Sequence, residues 1–543
     1  MDDSEESLSE VAPSRSWWRR LIPIAAILVV VGLVVSLTGI WQVFVPEPEP
    51  QPLSELSLEL PDEVPAAQGF GAQQPKWQDC GEGFVCADVR APLDWDYPEG
   101  ETISLRLVKQ EATGGDAIGT LFVNPGGPGA SGASYIRNNI DGAVGEALQR
   151  EYDVIGWDPR GVGTSSAVSC LDDAGMDDNL FGIDDVAAGL ERGSAEWIAA
   201  VTESSAEFGA ACAESTGNLI AHVDTQSTAR DLDMLREIAG DEKLHYLGYS
   251  YGTYIGALYA ETFPDKVGRL VLDGVLSPSA TLADVVREQT RGFESALRSY
   301  VTWCLSGDDC PLSTEGAGAA ASEASVDAAM ATIRSLIDQV DATPIEGSDG
   351  RMLGSGTMLT AIITPLYSQA NWGYLNTLFA SVAAGSADVG LALADSYYDR
   401  VNGVYQTNST EAFSAINCLD YPRDVDPDRM AREAAELEQL APTIGKFQGY
   451  GDLSCAGWPY TGAESRDVVT ATGSDPILVL GTTGDPATPY QWAVDFAEHL
   501  DNGVLVTREG EGHLAYGRSD CVDRAVEQYL LDGTMPEAGL VCS

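Results

Sequence analysis

The chain has 543 residues, of which 44 % are hydrophobic and 8 % aromatic, so a chain that is disordered throughout is excluded. Its 83 acidic and 30 basic residues give a formal net charge of -53 at pH 7, and a surface this acidic argues against nucleic acid as a partner. Most of this charge is expected to form a solvated shell, which can also attract cationic groups.

The N-terminal part of the chain predicts a membrane segment. Residues 21–45 contain no charged side chain, and about 20 apolar residues span a bilayer. Three arginines precede this run and no Lys or Arg follows until Lys76, which places residues 1–20 in the cytoplasm and the bulk of the chain outside. A cleaved signal peptide, which would make the protein secreted, is the alternative. Because its apolar region should be shorter, we favour a single uncleaved transmembrane helix.

Ten cysteines predict disulfide bonds, since their number is even and the chain is expected to be exported. With no CxxC motif and only four histidines, a structural zinc site is not expected, and no metal or organic cofactor is indicated. The sequence does not fix the pairing, and pairing between neighbours in the chain is the simplest expectation. It gives Cys80–Cys86, Cys170–Cys212, Cys304–Cys310, Cys418–Cys455 and Cys521–Cys542.

The remaining chain divides into four segments by its composition and by its helical or strand-like hydrophobic patterns. Residues 46–75 are rich in Pro and Glu and predict a semi-extended linker. Over residues 76–278, apolar strand-like runs that end in glycine loops alternate with helical patterns, which predicts an α/β domain with a parallel sheet. Residues 279–473 are mostly helical in pattern, and residues 474–543 return to strands and loops. The simplest account is one α/β core that a helical segment interrupts.

The stretch GYSYG places Ser250 between two glycines. In a chain with 57 glycines, GxSxG is expected by chance roughly half a time, so the motif alone is weak. Its context is stronger, because a strand-like run precedes it and a helix-like run follows, as a nucleophile elbow requires. The small residues Gly248 and Gly252 relieve the sharp turn, and the N–H of Tyr251 can then face an oxyanion.

A serine nucleophile needs a base, which is expected to follow it in the chain. Of the four histidines, His222 and His245 precede Ser250, and His245 lies inside the strand that leads to it. His499 ends a helical stretch, whereas His513 lies in a glycine loop after a strand. A loop lets the imidazole reach over the sheet edge, so His513 is the predicted base.

The acid and the second oxyanion donor are expected on other loops of the same sheet. Asp485 stands at the carboxyl end of a predicted strand, whereas Asp475 precedes that strand and would point away. The loop NPGGPG fits the second donor, with Gly127 preferred and Gly126 next. A phosphate-binding loop is the alternative, but the Lys-Ser/Thr ending is absent.

Together these residues predict a serine hydrolase. Ser250 attacks a carbonyl, His513 takes its proton and later returns it to the leaving group, and Asp485 holds the imidazole tautomer. The resulting acyl-enzyme is hydrolysed by water. No metal takes part in this scheme.

Over residues 77–543 the chain resembles exported α/β-hydrolases of the tripeptidyl aminopeptidase and proline iminopeptidase type. The resemblance rests on VNPGGPGASG, DPRGVGTSS, GYSYGTYIG, GTTGDPATP and GEGH. Pro125 replaces the histidine of the iminopeptidase HGGPG motif, as in the tripeptidyl branch. The resemblance implies an α/β-hydrolase fold with a mostly helical cap, and release of tripeptides from free N-termini. In such enzymes cap carboxylates hold the substrate ammonium, for which Asp420 is the candidate.

Two other functions remain open. The same machinery cleaves esters, so a carboxylesterase acting on cell-envelope or small esters is the first alternative. A catalytically silent, membrane-anchored binding protein is the second, although an intact set of Ser, Asp and His argues against it. Peptidase and esterase differ in whether an acidic group lies where an N-terminal amine would bind.

Overall fold

The computed structural model describes residues 52–62, 69–182, 189–313 and 321–543. The predicted membrane segment, residues 21–45, lies outside them. Within these ranges no helix is both long and apolar enough to cross a bilayer.

One twisted sheet organises the α/β core. Its order is β1-β2-β3-β5-β4-β6-β7-β12-β13-β14, with antiparallel pairing from β1 to β5 and parallel pairing from there to β14. The strands are β1 Gln78–Gly81, β2 Phe84–Pro92, β3 Thr102–Gln110, β4 Thr120–Asn124, β5 Asp153–Trp157, β6 Leu244–Tyr249, β7 Val267–Asp273, β8 Ile345–Glu346, β9 Met352–Leu353, β10 Arg400–Val401, β11 Val404–Tyr405, β12 Ile477–Gly484, β13 Gly503–Glu511 and β14 Leu540–Cys542. The predicted α/β architecture with a mostly parallel sheet is confirmed.

Helices cover both faces of this sheet and build the insertion. They are α1 Gly132–Ala143, α2 Glu146–Glu151, α3 Asp173–Phe181, α4 Ala195–Thr216, α5 Thr225–Ala239, α6 Gly252–Thr262, α7 Leu282–Leu305, α8 Glu323–Ala342, α9 Ser355–Leu366, α10 Trp372–Ala383, α11 Asp388–Tyr397, α12 Ser409–Asp420, α13 Pro427–Leu440, α14 Tyr490–His499 and α15 Asp520–Asp532. The central strands β4, β6 and β7 are buried except for His245 and Arg269, which are partly buried, as expected for a parallel sheet with helices on both faces.

The helical insertion lies between β7 and β12, the strands that bound the predicted range 279–473. It contains α7 to α13 and the two short hairpins β8–β9 and β10–β11. Much of it has its own apolar core, which includes Tyr300, Ile333 and Phe379. However, Ile416 and Trp458 belong to the buried cluster of the α/β core, so the last part of the insertion is continuous with that core.

The segment between β5 and α5 packs against the helical insertion as well. Phe181, at the end of α3, belongs to the insertion's core cluster. Arg400 of β10 donates to both carboxylate oxygens of Asp177 on α3, each at 2.7 Å. The sequence did not predict this packing, because its patterns assign all of residues 76–278 to the α/β core.

The predicted linker needs a correction over its described part. Leu53 is buried, and its carbonyl accepts a hydrogen bond from the Arg106 guanidinium at 2.9 Å. Gln73 is also buried and exchanges two hydrogen bonds with the Arg90 backbone, at 2.7 and 2.9 Å. These residues are docked on the sheet and do not form a free tether, because the leucines among the Pro and Glu residues pack against the core.

All ten cysteines form disulfides, in the pairing predicted from their order in the chain. Cys418–Cys455 fastens the end of α12 to a later part of the insertion. Cys521–Cys542 fastens β14, the last strand of the sheet, to α15. The disulfides therefore brace both the insertion and the C-terminal edge of the core.

A buried ion pair fixes the loop after β5. The guanidinium of Arg160 donates to both carboxylate oxygens of Asp231 on α5, at 2.7 and 2.6 Å, and both side chains are fully buried. It also donates to the carbonyls of Pro92, Leu93 and His222. Because a buried charge without these partners would be costly, these hydrogen bonds hold the start of the loop after β5 in place.

Candidate active site

Ser250 lies in a tight turn between β6 and α6. Its φ of 53° is in the left-handed region, which costs an L residue about 1–2 kcal/mol. Its N–H donates to the Asp273 carbonyl, at the end of β7, at 2.8 Å. Gly126 approaches the turn so closely that a Cβ there would lie 3.0 Å from the Ser250 Cβ. A non-glycine residue held at positive φ between strand and helix is the geometry of a nucleophile elbow.

The imidazole of His513 is hydrogen-bonded to the carboxylate of Asp485. Its Nδ1 lies 2.9 and 2.8 Å from the two carboxylate oxygens. Asp485 follows β12 and His513 follows β13, which are adjacent and parallel, so their carboxyl ends meet at the same edge of the sheet. Both side chains are buried. A carboxylate at Nδ1 fixes the tautomer that leaves Nε2 free to accept a proton.

The Asp485 carboxylate accepts four further hydrogen bonds. They come from the N–H of Ala487 and of Thr488 at 2.9 Å each, from the Thr488 hydroxyl at 3.0 Å and from the N–H of Leu514 at 3.1 Å. The Thr488 hydroxyl also lies 3.2 Å from the His513 Nδ1. Thr488 was not singled out from the sequence, although a polar residue in the turn after a catalytic strand is a usable signal.

The serine and the histidine are brought to the same edge of the sheet by β7, which lies between β6 and β12. Asp273 ends β7 and accepts the Ser250 N–H through its carbonyl. A Cβ on the next residue, Gly274, would lie 3.2 Å from Cε1 of His513. The imidazole therefore packs directly against the backbone that also holds the serine turn.

The glycine loop after β4 distinguishes the two predicted oxyanion donors. The N–H of Gly126 donates to the side chain of Asn124 at 2.9 Å and is therefore occupied. Within the described ranges, the N–H groups of Gly127 and Tyr251 donate to no protein acceptor. Of the two predicted glycines, Gly127 is therefore the one whose N–H, like that of Tyr251, is available for a developing oxyanion.

Two further buried carboxylates, those of Asp158 and Asp273, hold the loops around the site. Asp158 accepts a hydrogen bond from the Ser131 hydroxyl, at 2.5 Å, where the glycine loop enters α1. Asp273 accepts from the N–H groups of Ala515 and Tyr516, both at 2.9 Å, just after His513. Burial raises the pKa of Asp273 to about 6, against the lowering effect of these hydrogen bonds.

The cap contacts the histidine directly. The backbone N–H of His513 donates to the carbonyl of Tyr367, the residue after α9, at 2.9 Å. The two rings pack edge to face, with centroids 5.4 Å apart. On the other side, the amide of Gln289 on α7 donates to the Ala487 carbonyl at 2.8 Å. Nothing local in the sequence signals Tyr367, because it lies far from His513 along the chain.

The other candidate residues lie in different surroundings. His245 accepts the Arg269 N–H at 3.1 Å, and burial lowers its pKa to about 4, so it has a structural role in the sheet. His499 ends α14. Asp420, the candidate for the substrate ammonium, is buried with both carboxylate oxygens bound to Thr225, and burial raises its pKa to about 7. No cluster that could hold a metal occurs in the described part of the chain.

Fold and site together define a serine hydrolase. Residues 441–542 match the family model described as TAP-like protein. The chain is 36 % identical to serine protease Hip1 of Mycobacterium tuberculosis over 475 residues, which cover 85 % of this chain and 87 % of Hip1. It is 34 % identical to carboxylesterase B of the same organism over 490 residues, covering 87 % and 90 %. It is 28 % identical to tripeptidyl aminopeptidase of Streptomyces lividans over 481 residues, covering 86 % of each chain.

The protein therefore belongs to the TAP-like family of α/β-hydrolases, as the resemblance in the sequence indicated. It is an enzyme, a serine hydrolase.

Proposed function

We propose that the protein is an aminopeptidase that acts outside the cell and releases tripeptides from free N-termini. The observation that carries the hydrolase part of the proposal is the buried Asp485–His513 pair on the same sheet edge as a serine held at positive φ. The relative named tripeptidyl aminopeptidase supports the choice of peptide substrates.

The proposed mechanism uses only side chains and backbone groups of this chain. His513 takes the Ser250 proton as the serine oxygen attacks the peptide carbonyl, and Asp485 stabilises the imidazolium that forms. The N–H groups of Tyr251 and Gly127 donate to the oxyanion. The imidazolium then protonates the leaving amine, and the acyl-enzyme is hydrolysed by water that His513 activates in turn.

We propose further that residues 21–45 anchor the protein in the membrane with the catalytic domain outside. The five disulfides support an oxidising compartment. After disruption of the cells, we expect the protein to stay in the membrane fraction during a high-salt wash and to be released by detergent. Protease added to intact cells should degrade the domain. Recovery of a shortened chain from the medium would show instead that the segment is cleaved.

The substrate class is tested on the full-length protein in detergent. Release of a fluorophore is compared for a tripeptide amide with a free N-terminus, its N-acetylated form and a short-chain ester, with Ser250→Ala as the blank. We expect kcat/KM for the free-amine amide to exceed that for the acetylated form by at least about tenfold, since an unpaired ammonium-binding carboxylate costs about 1–3 kcal/mol. Equal rates for the two amides would contradict the aminopeptidase proposal.

A carboxylesterase is the second candidate, favoured by the 34 % identity to carboxylesterase B. The same serine, histidine and oxyanion donors cleave an ester without an ammonium site. Turnover of the ester alone, above the Ser250→Ala blank, would select this function. Turnover of none of the substrates would favour a binding protein.

A further inference from the structure

A buried chain of side chains connects the insertion to the nucleophile turn. Asp420 is the last residue of α12, Thr225 is the first residue of α5, and Tyr251 immediately follows Ser250. The Asp420 carboxylate accepts from the Thr225 N–H at 2.8 Å and from its hydroxyl at 2.5 Å. The Thr225 hydroxyl is in turn in hydrogen-bond contact with the Tyr251 hydroxyl.

The proton order in this chain follows from the donors and acceptors available. Above about pH 7, the pKa to which burial raises this carboxyl, Asp420 is mainly ionised. In that form it has no proton to donate, so the Thr225 hydroxyl proton points to it. The Thr225 oxygen then accepts, and the Tyr251 hydroxyl donates to it. Every polar atom of the three side chains is satisfied, and all three residues are buried. Such a fully satisfied buried network holds its members in one conformation.

The two ends of this hydrogen-bonded network, Asp420 and Tyr251, are held by different contacts. Asp420 stands two residues after Cys418, whose disulfide to Cys455 braces the end of α12. Tyr251 carries the N–H that the proposed mechanism assigns to the oxyanion. Its ring is buried against the ring of Tyr254, with centroids 6.3 Å apart. The only polar contact that the described residues make with the Tyr251 side chain is therefore the one to Thr225.

We propose that Asp420, Thr225 and the Tyr251 hydroxyl are positioning residues that aim the Tyr251 N–H at the oxyanion. The proposal rests on the proposed function, because it needs Ser250 to be the nucleophile. It gives Asp420 a role other than the ammonium ligand that the family resemblance implies. It also explains why a carboxylate of the insertion lies in the core behind the nucleophile turn.

The ammonium role and the positioning role predict different kinetics. A carboxylate that binds the substrate amine acts on free-amine substrates and chiefly through KM. A residue that aims an oxyanion donor acts on every substrate the enzyme cleaves, and chiefly through kcat, because the oxyanion is absent from the bound substrate and develops only as the carbonyl is attacked. The split between kcat and KM therefore separates them whichever substrate is cleaved.

The test compares Tyr251→Phe, Thr225→Val and Asp420→Asn with the wild type, on the free-amine tripeptide amide and on an activated short-chain ester. Loss of a whole oxyanion donor costs about 10²–10³-fold in kcat, so a misaimed donor is expected to cost about tenfold. We expect each variant to lower kcat about tenfold on every substrate that the wild type cleaves, with KM changed by less than about threefold.

Tyr254→Phe is the matched control. Tyr254 is a buried tyrosine on the same turn of α6, and its hydroxyl makes no hydrogen bond among the described residues. Phenylalanine keeps the ring that packs under Arg466, at 3.9 Å. We expect its kcat and KM to equal those of the wild type, which separates the loss of the Tyr251 contact from a general effect of removing a hydroxyl.

Two results would overturn the proposal. The first is an unchanged kcat for Tyr251→Phe on every substrate, and this variant removes one oxygen atom, so it is expected to fold. The second is a higher KM for Asp420→Asn on the free-amine substrate alone, with kcat and ester cleavage unchanged, which would restore the ammonium role. Failure of the proposed function is seen separately. Turnover that survives in Ser250→Ala would remove the nucleophile, and equal rates on the free and acetylated amides would remove the aminopeptidase activity.

Discussion

Replacing Ser250 with alanine is expected to lower kcat by about 10⁶-fold, whichever substrate the enzyme cleaves. The residual rate would come from the oxyanion donors and from substrate binding, which do not need the hydroxyl. The exchange removes one oxygen atom and leaves the hydrogen bond from the residue 250 N–H to the Asp273 carbonyl in place. The measurement is kcat on the best substrate of the panel, together with circular dichroism to show that the fold is retained.

A second variant at the same position tests the geometry of the turn. Ser250→Gly should lose activity to the same extent, but glycine adopts a φ of 53° without the cost that an L residue meets there. We therefore expect Ser250→Gly to be more stable than Ser250→Ala by about 1 kcal/mol in urea unfolding. Turnover by either variant above about 1 % of the wild-type rate would rule out Ser250 as the nucleophile.

The elements that the sequence predicted are those with a local signal. The apolar runs around β4, β6, β7 and β12 are buried strands of one sheet. Short, nearly continuous apolar runs are typical of parallel strands that helices cover on both faces. The order of serine, acid and base along the chain, together with the loops that carry them, selected Asp485 and His513. The structure brings these two side chains into contact.

What the sequence did not predict depends on contacts between distant segments. The pairing of α3 with β10 rests on Asp177 and Arg400, which are 223 positions apart and stand in ordinary surface-like patterns. The docking of residues 53–62 depends on the hydrogen bond that the Arg106 guanidinium donates to the Leu53 carbonyl. Neither contact changes the local periodicity from which helices, strands and linkers are predicted.

The substrate-binding role of Asp420 shows a different limit. The family resemblance points to this carboxylate, but a resemblance does not say which way a side chain points. In the structure, the carboxylate is turned to Thr225 at the start of α5. A buried acid that is already bonded on both oxygens must exchange those bonds before it can bind a substrate amine.

Replacing Asp485 with asparagine is expected to lower kcat by about 10⁴-fold. In the wild type, donors surround both carboxylate oxygens: the backbone N–H groups of Ala487, Thr488 and Leu514, the Thr488 hydroxyl and the His513 ring. An amide NH₂ at this position meets an acceptor at only two places, the unprotonated Nδ1 of His513 and the Thr488 hydroxyl oxygen, and toward the imidazole it can only donate.

The contact with Nδ1 fixes the wrong tautomer. If the introduced amide donates to Nδ1, the proton of the neutral imidazole stays on Nε2, and His513 is no longer a base for the Ser250 hydroxyl. The effect is therefore on the chemical step, and we expect kcat to fall while KM changes little. The same loss should appear on amide and ester substrates, because both need the serine proton to be removed.

Asp475→Asn is the matched control for this prediction. Asp475 lies at the opposite end of β12, where its carboxylate forms a partly exposed ion pair with Lys243. Exposed pairs of this kind contribute about 0–1 kcal/mol to stability, so kcat should stay within about twofold of the wild type. If Asp485→Asn lost less than about tenfold, or if both variants lost equally, the carboxylate at the sheet edge would not be the group that orients His513. Asp475 precedes β12 and Asp485 follows it. The two variants therefore test whether the position at the carboxyl end of this strand is what allows an aspartate to orient His513.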